Sequence, residues 1–98
     1  MTDPPVRFHP LAQEDAQSAY AWYAERNLAA AELFLDELDT AVARVREAPH
    51  RWPRVRRDIR RYVFRKFPFS LVYRVVSGNV EVIAVAHHRR RPGYWRRR

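Results

Sequence analysis

Residues 69–87 read FSLVYRVVSGNVEVIAVAH, and this stretch sets the architecture of a sheet. It contains two runs of apolar and β-branched residues, 69–76 and 80–86, joined by Ser77-Gly78-Asn79. β-Branched and aromatic residues favour strands, and a glycine between two such runs supplies the positive φ that a hairpin turn needs. The stretch therefore predicts two antiparallel strands joined by a tight turn.

A further strand is predicted immediately upstream. Arg61-Tyr62-Val63-Phe64-Arg65 alternates polar and apolar residues, as a half-exposed strand does, and Pro68 ends it. Before it lie a basic connector, residues 54–61, and a loop that contains Pro49 and Pro53. Two prolines so close together fit neither a helix interior nor a central strand. The second half of the chain is therefore expected to form a three-stranded meander.

The first half of the chain has helical periodicity. Val6-Arg7-Phe8 is predicted to be a short opening strand, and His9-Pro10 is predicted to start a helix that Arg26-Asn27 breaks. A second helix is predicted over residues 28–48, because apolar residues recur there at helical spacing: Ala31, Phe34, Leu35, Leu38, Ala41, Val42 and Val45. The short break between the helices predicts an antiparallel hairpin.

The element order β-α-α-β-β-β predicts an α+β fold in which the helix hairpin packs on one face of an antiparallel sheet. Residues 1–98 are expected to form a single domain. The chain has no cysteine, which excludes disulfides, thiolate metal sites and thiol nucleophiles. No apolar run approaches the roughly 20 residues that span a bilayer, and the N-terminus lacks a signal-peptide layout, so a cytoplasmic protein is expected.

Charge is distributed unevenly along the chain. Residues 1–50 contain four arginines against nine acidic residues, a net charge of −5. Residues 51–98 contain fourteen arginines and one lysine against two acidic residues, a net charge of +13. Genome base composition can explain arginine in place of lysine, but not the crowding into one half. The basic half is therefore expected to face an anionic partner, such as nucleic acid, the ribosome or an acidic protein.

Several short motifs follow one another along nearly the whole chain. They are His9-Pro10, Trp22-Tyr23, Phe34-Leu35-Asp36-Glu37-Leu38, Ala48-Pro49 with Trp52-Pro53, the segment FPFSLVYRV at 67–75, the segment IAVAH at 83–87, Arg89-Arg90, and Pro92-Gly93-Tyr94-Trp95. In this order they resemble the RelE/ParE toxin superfamily. The resemblance implies the β-α-α-β-β-β fold that periodicity predicts independently.

The resemblance also implies the toxin half of a bacterial type II toxin–antitoxin pair. Such a toxin stops growth and is held inactive by a cognate antitoxin, with which it forms a hetero-oligomer. RelE-like members cleave mRNA on the ribosome without a metal, whereas ParE-like members block DNA gyrase. No cofactor, no metal ion and no membrane partner are expected.

A RelE-like activity needs a base for the 2′-hydroxyl, a cation for the charge on phosphorus, and an acid for the leaving oxygen. The candidate catalytic residues are His87, Arg89 and Tyr94. The candidate residues for contacts with nucleic acid or another target are Arg61, Arg65, Lys66, Arg74, His88, Arg90 and Arg91. Structural alternatives stay open, because a strand-end histidine, a solvated arginine cluster or a tyrosine that caps the core would have the same sequence. A metal site at His87-His88 is not expected, since adjacent residues are poorly spaced for one ion.

One position departs from the nuclease pattern. RelE-like nucleases usually have an arginine in the middle strand, two positions before a Val-Tyr pair, and Ser70 occupies that place here. Losing the guanidinium would cost on the order of 10²–10³ in rate. Arg74 is the candidate substitute, because strand alternation puts it on the same face as Ser70. Ser70 thus favours gyrase inhibition over a ribosome-dependent mRNA endoribonuclease. A non-toxic nucleic-acid-binding or interaction module is a further alternative.

Overall fold

The computed structural model describes residues 3–98, which form two helices and five strands. In chain order the elements are β1 (Val6–Phe8), α1 (Pro10–Ala24), α2 (Leu28–Glu47), β2 (Arg54–Arg56), β3 (Ile59–Val63), β4 (Phe69–Val76) and β5 (Asn79–His87). The strands form one sheet in the order β1-β5-β4-β3-β2, and the helix hairpin packs on one of its faces. The predicted α+β fold is confirmed.

Local sequence sets the start of both helices. His9 precedes α1, and its Nδ1 accepts the backbone N–H of Leu11 at 3.1 Å, while Pro10 occupies the first helical position. The Asn27 side chain accepts the N–H of Ala30 at 3.2 Å and so caps α2. Both starts lie where the sequence predicts them. Neither described helix combines the length and apolarity needed to cross a bilayer.

The sheet differs from the prediction in two details. β1 runs parallel to β5, with Val6 opposite Val80, so the sheet is mixed rather than wholly antiparallel. The meander fixes the direction of β5, and pairing between the first and last strands has no local sequence signal. In addition, β2 forms within the basic connector and pairs with β3 across a turn in which Arg57 has a φ of +48°. That turn lacks the glycine or asparagine that usually marks one.

β3 begins and ends two residues before the predicted strand, because its far end is drawn into a turn. The carboxylate of Glu37 on α2 accepts the backbone N–H groups of Arg65 at 2.5 Å and of Lys66 at 2.9 Å. These two donors therefore bind a side chain from the helix layer rather than a neighbouring strand. Phe64 stays buried and donates its N–H to the Phe69 carbonyl at 2.9 Å.

A β-bulge in β5 shifts the alternation of its side chains, so Val80, Val82 and Val85 pack under the helices and Ala84 and Ala86 pack on the opposite face. Tyr73 pairs with Val82 and Val72 pairs with Ala84, so Ile83 is the extra residue. The face under the helices carries the main core, whose largest fully buried side chains are Tyr73, Phe34, Leu71, Val45, Val80, Val82 and Val85. On the opposite face, Trp95 packs in a smaller cluster with Val72, Ile83, Ala84 and Ala86. The chain after β5 therefore returns across the sheet instead of extending into solvent.

Candidate functional site

The segment after β5, residues 88–98, is called the tail here, and it borders a groove on the sheet face opposite the helices. This basic groove has a cavity volume of about 440 Å³. Its apolar lining includes Val63, Val72 and Ala86. Its cationic and imidazole lining comprises Arg56, Arg61, His87, His88, Arg90, Arg91 and Arg96. None of the described residues that line it is acidic, so the groove attracts anions.

A second depression lies between α1 and the end of β5. This aromatic pocket has a volume of about 500 Å³, and its lining includes Trp22, Tyr23 and Phe69. Trp22 is 53% exposed although tryptophan is a residue type that is usually well covered. Residues that line both depressions are His87, Arg90 and Tyr94. The tail and the end of β5 thus form a wall that the basic groove and the aromatic pocket share.

His87 is tied to the tail through its ring. Its Nδ1 accepts the backbone N–H of Arg89 at 3.0 Å, which assigns the proton of the neutral ring to Nε2. Burial lowers the pKa of His87 below its ordinary value, and the charges of Arg89 and His88 lower it further. A neutral ring with the proton on Nε2 can donate a hydrogen bond. It can accept a proton only by giving up the bond from Arg89.

His88 lies on the groove side of the wall and is paired with the serine that departs from the nuclease pattern. Its Nε2 is 2.9 Å from Ser70 Oγ, and Ser70 is only 3% exposed. Arg74, the candidate substitute for a guanidinium at Ser70, instead binds Glu81 at 2.7 Å. Arg74 does not line the basic groove. β4 therefore contributes no guanidinium to the groove, and Arg74 does not take the place of an arginine at position 70.

Tyr94 is held by three charged side chains. Its hydroxyl donates to Asp15 Oδ2 at 3.2 Å, and the guanidiniums of Arg90 and Arg98 lie 3.9 and 5.0 Å from its ring centroid. Burial, reinforced by the charge of Asp15, raises the pKa of Tyr94 to about 12. The hydroxyl is therefore engaged within the fold and is a weak acid near neutral pH.

The remaining candidates divide into two groups. Arg61, Arg90 and Arg91 converge with His88 on the basic groove, as a shared target-binding role requires. Arg65 and Lys66 instead lie in the turn that Glu37 binds. The side chain of Arg89 lines neither depression. Among residues 3–98, no three His, Asp or Glu side chains are grouped as metal ligands would be.

Two residues that attach the wall to the helix layer were missed from the sequence. Asp15 on α1 binds Arg98 in the tail through a 2.6 Å ion pair, and both side chains are about nine-tenths covered. In the sequence Asp15 is only an acidic residue that suits the start of a helix. The partners are 83 positions apart in the sequence, so there is no local signal of their contact. Two further residues missed from the sequence, Arg56 and Arg96, line the basic groove, and no sequence feature separates them from the other arginines.

Comparison with known proteins gives one family and a common fold. The family model of the ParE toxin of the type II toxin–antitoxin system, parDE, matches residues 6–92. A solved structure described as the chromosomal ParDE TA system from P. aeruginosa is similar, with a TM-score of 0.76 and 15% sequence identity. The match covers 86% of this chain and 95% of that one, and at this identity it concerns the fold. No curated protein matches the sequence.

Proposed function

Because the chain belongs to the family of ParE toxins of type II toxin–antitoxin systems, we propose that it inhibits bacterial growth by binding DNA gyrase. A cognate antitoxin is its second partner and neutralises it. In this proposal the protein is a binding inhibitor, and its activity depends on a surface rather than on a reaction. The basic groove and the aromatic pocket, with the wall between them, provide that surface.

The side chains suited to acid–base chemistry, His87 and Tyr94, are hydrogen-bonded within the fold, and this supports a binding function over RNA cleavage. A nuclease needs a free base and a free acid beside a cation. His87 accepts a hydrogen bond at the nitrogen that would have to be free, and Tyr94 has its hydroxyl on Asp15 with a pKa of about 12. Ser70 stands where RelE-like nucleases usually have an arginine, and Arg74 pairs with Glu81 instead of substituting for it. Three parts of the cleavage machinery are thus bound into the fold or absent.

The antitoxin partner follows from family membership and from charge. The groove is lined by both apolar residues and arginines, which suits a polypeptide segment that carries acidic and apolar residues together. Such a segment covers the arginines that a target would need to contact. We therefore expect the toxin and antitoxin to associate as a hetero-oligomer, with affinity that falls as salt concentration rises.

One observation favours the nuclease as a second candidate. His88 lies in the basic groove, and its Nε2 contacts an uncharged group, the Ser70 hydroxyl. It is the one imidazole among the candidate residues whose ring nitrogens do not bind the backbone of the tail. A phosphate in the groove would bring this imidazole close to several arginines. His88 is therefore the residue on which the two functions make different predictions.

The test is to induce the protein without antitoxin in a bacterium and follow growth, plasmid supercoiling and mRNA integrity together. We expect growth arrest with relaxed or cleaved DNA and intact mRNA, and inhibition of supercoiling by purified toxin and gyrase. Cut mRNA with normal supercoiling would contradict the proposal and favour the nuclease. Normal growth would instead favour a non-toxic binding module.

A matched pair of variants sharpens this test. His88→Asn removes the groove imidazole, and His50→Asn makes the same change at an exposed position outside both depressions. If RNA cleavage caused the arrest, the first variant would abolish it and the second would not. We expect the His88→Asn variant to keep most of its growth inhibition, because a gyrase-binding surface needs no proton transfer there.

A further inference from the structure

β5 continues beyond the end of β1, its neighbour on the outer side, and this leaves part of the outer edge of β5 without a partner strand. β1 pairs with β5 only at Val80, Glu81 and Val82, and the N–H of His9 then bonds to the Val82 carbonyl at 2.8 Å. After that point the chain turns into α1, whereas β5 runs on to His87. Outward-facing backbone groups of β5 beyond Val82 need other partners, because an unpaired group that is shielded from water is costly.

Side chains from α1 and the tail occupy this part of the edge. Asp15 Oδ2 accepts the N–H of Val85 at 3.1 Å, and Arg98 Nη1 donates to the Ile83 carbonyl at 3.1 Å. The two side chains also bind each other, at 2.6 Å between Arg98 Nη1 and Asp15 Oδ2 and at 3.2 Å between Arg98 Nη2 and Asp15 Oδ1. Together they offer one acceptor and one donor, the pair of groups that a residue of a neighbouring strand would supply.

The same ion pair anchors the tail. Arg98 donates its N–H to the Trp95 carbonyl at 3.0 Å, and Trp95 is buried against the opposite sheet face. The Tyr94 hydroxyl shares Asp15 Oδ2 with Arg98, and the Tyr94 ring lies beneath the Arg90 guanidinium. The tail is thus attached to one face of the sheet by Trp95 and to its edge by Arg98. Arg90 and Tyr94, which line both depressions, lie before these two attachments.

We propose that Asp15 and Arg98 are the positioning pair of the target-binding surface. Their ion pair fixes the tail as the wall between the basic groove and the aromatic pocket, and so holds Arg90 and Tyr94 in place for the target. This inference rests on the proposed function, in which the toxin acts by binding. Asp15 and Arg98 themselves contact each other and β5, and they need not touch the target.

The charges of Asp15 and Arg98 suit them to hold the tail in place. The hydrogen bond to Asp15 raises the pKa of Arg98 above its ordinary value, so the guanidinium keeps its charge. Removing one member of a covered ion pair leaves the other with an uncompensated charge, so either single change is disruptive. Loss of Arg98 also leaves the Ile83 carbonyl without this donor. The structure therefore predicts a released tail on an otherwise folded body, because the core cluster under the helices contains neither residue.

Limited trypsin digestion tests the anchoring directly. Cleavage after Arg89 or Arg90 releases most of the tail, whereas cleavage after Arg44 or Arg46 reports opening of α2. For Arg98→Ala we expect tail cleavage at least about tenfold faster than in the wild type, with cleavage in α2 nearly unchanged. Arg97→Ala is the matched control, since it removes a neighbouring exposed arginine that lines neither depression. Arg98→Lys keeps the charge without the two-pronged contact and should lie between them.

Function is then measured as the toxin concentration in the cell that arrests growth, which does not depend on the identity of the target. We expect Arg98→Ala and Asp15→Asn to need roughly tenfold more protein than the wild type. Arg97→Ala and Glu14→Gln, a neighbouring exposed acid on α1, should stay within about twofold of it.

Three outcomes separate the positioning role from its alternatives. Equal acceleration of cleavage in the tail and in α2 would mean that the pair supports only overall stability, and it would overturn the inference. A released tail with undiminished growth arrest would overturn it as well. Growth arrest that depends on Arg98 while wild-type toxin leaves gyrase unaffected would sustain the positioning role and contradict gyrase as the target.

Discussion

His87 and Tyr94 illustrate how neighbours change what a side chain can do. Each has a group suited to acid–base chemistry, yet His87 Nδ1 binds the Arg89 backbone and the Tyr94 hydroxyl binds Asp15. Burial lowers the pKa of His87 and raises that of Tyr94 to about 12, so both changes favour the uncharged side chain at neutral pH. Their expected contribution is to the shape of the wall.

The Tyr94 hydroxyl should contribute measurably to stability. Tyr94→Phe keeps the ring under Arg90 but removes the hydrogen bond to Asp15. We expect the free energy of unfolding to fall by about 1 kcal/mol, the usual cost of one such bond, as measured by urea titration. Tyr20→Phe, on the same helix as Asp15, is the control and should change it by less than about 0.5 kcal/mol. An unchanged urea midpoint for Tyr94→Phe would mean that water replaces the hydroxyl without loss.

His87 should make stability depend on pH in the acidic range. Its folded pKa lies below the unfolded value of 6.5, so above pH 6.5 both states are neutral and the contribution is complete. As pH falls below 6.5 the unfolded chain binds the proton first, and stability decreases until the folded pKa has been passed. Urea titrations between about pH 7.5 and pH 5 should detect this loss. His87→Gln should reduce the slope and the exposed-site control His50→Gln should keep it, whereas identical slopes would contradict the assignment.

The elements that the sequence predicts well are those whose signals are local. Helix starts at His9 and Asn27 depend on side chains that cap the adjacent backbone, and the hairpin from β4 to β5 depends on Gly78, whose φ is +78°. The parallel pairing of β1, the bulge at Ile83 and the short β2 were not predictable in this way. Each depends on which distant segment of the chain lies alongside. The alternation of apolar and polar residues along a strand does not identify that segment.

Glu37 accounts for the misplaced end of β3, and its effect can be measured. Its carboxylate accepts two backbone N–H groups from the turn that connects β3 to β4. We expect Glu37→Gln to lower the free energy of unfolding by roughly 1–2 kcal/mol, since the bonds lose their charge and one acceptor oxygen. Thermal or urea unfolding measures the change, and Glu32→Gln on the exposed side of α2 serves as the control. Equal losses in both variants would show that charge on α2, rather than the turn, is responsible.

Across the whole molecule, the two oppositely charged halves of the sequence become two layers. Eight of the nine acidic residues in the first half belong to α1, α2 or the turn between them, and the groove on the other sheet face is lined by arginines. The candidate residues were placed at the end of β5 because charge and the strand end coincide there, and the structure brings several of them together at the basic groove. The wall was not predictable, because a contact between Asp15 and Arg98 is decided only when the helix layer and the tail meet at the sheet edge.

Charge in the groove, rather than net charge alone, should govern antitoxin binding. Arg56→Glu with Arg61→Glu reverses two guanidiniums on the groove side, and Arg44→Glu with Arg51→Glu makes the same change in net charge outside both depressions. At about 50 mM salt we expect the groove variant to bind the cognate antitoxin at least tenfold more weakly and the control to bind within about threefold of the wild type. The difference in affinity between the two variants should shrink near 0.5 M salt, where the screening length falls to roughly 4 Å.

Isothermal titration calorimetry or fluorescence anisotropy at both salt concentrations measures the affinity of each variant for the antitoxin. Equal weakening by the two variants would mean that the antitoxin responds to the overall field of the protein and not to the groove.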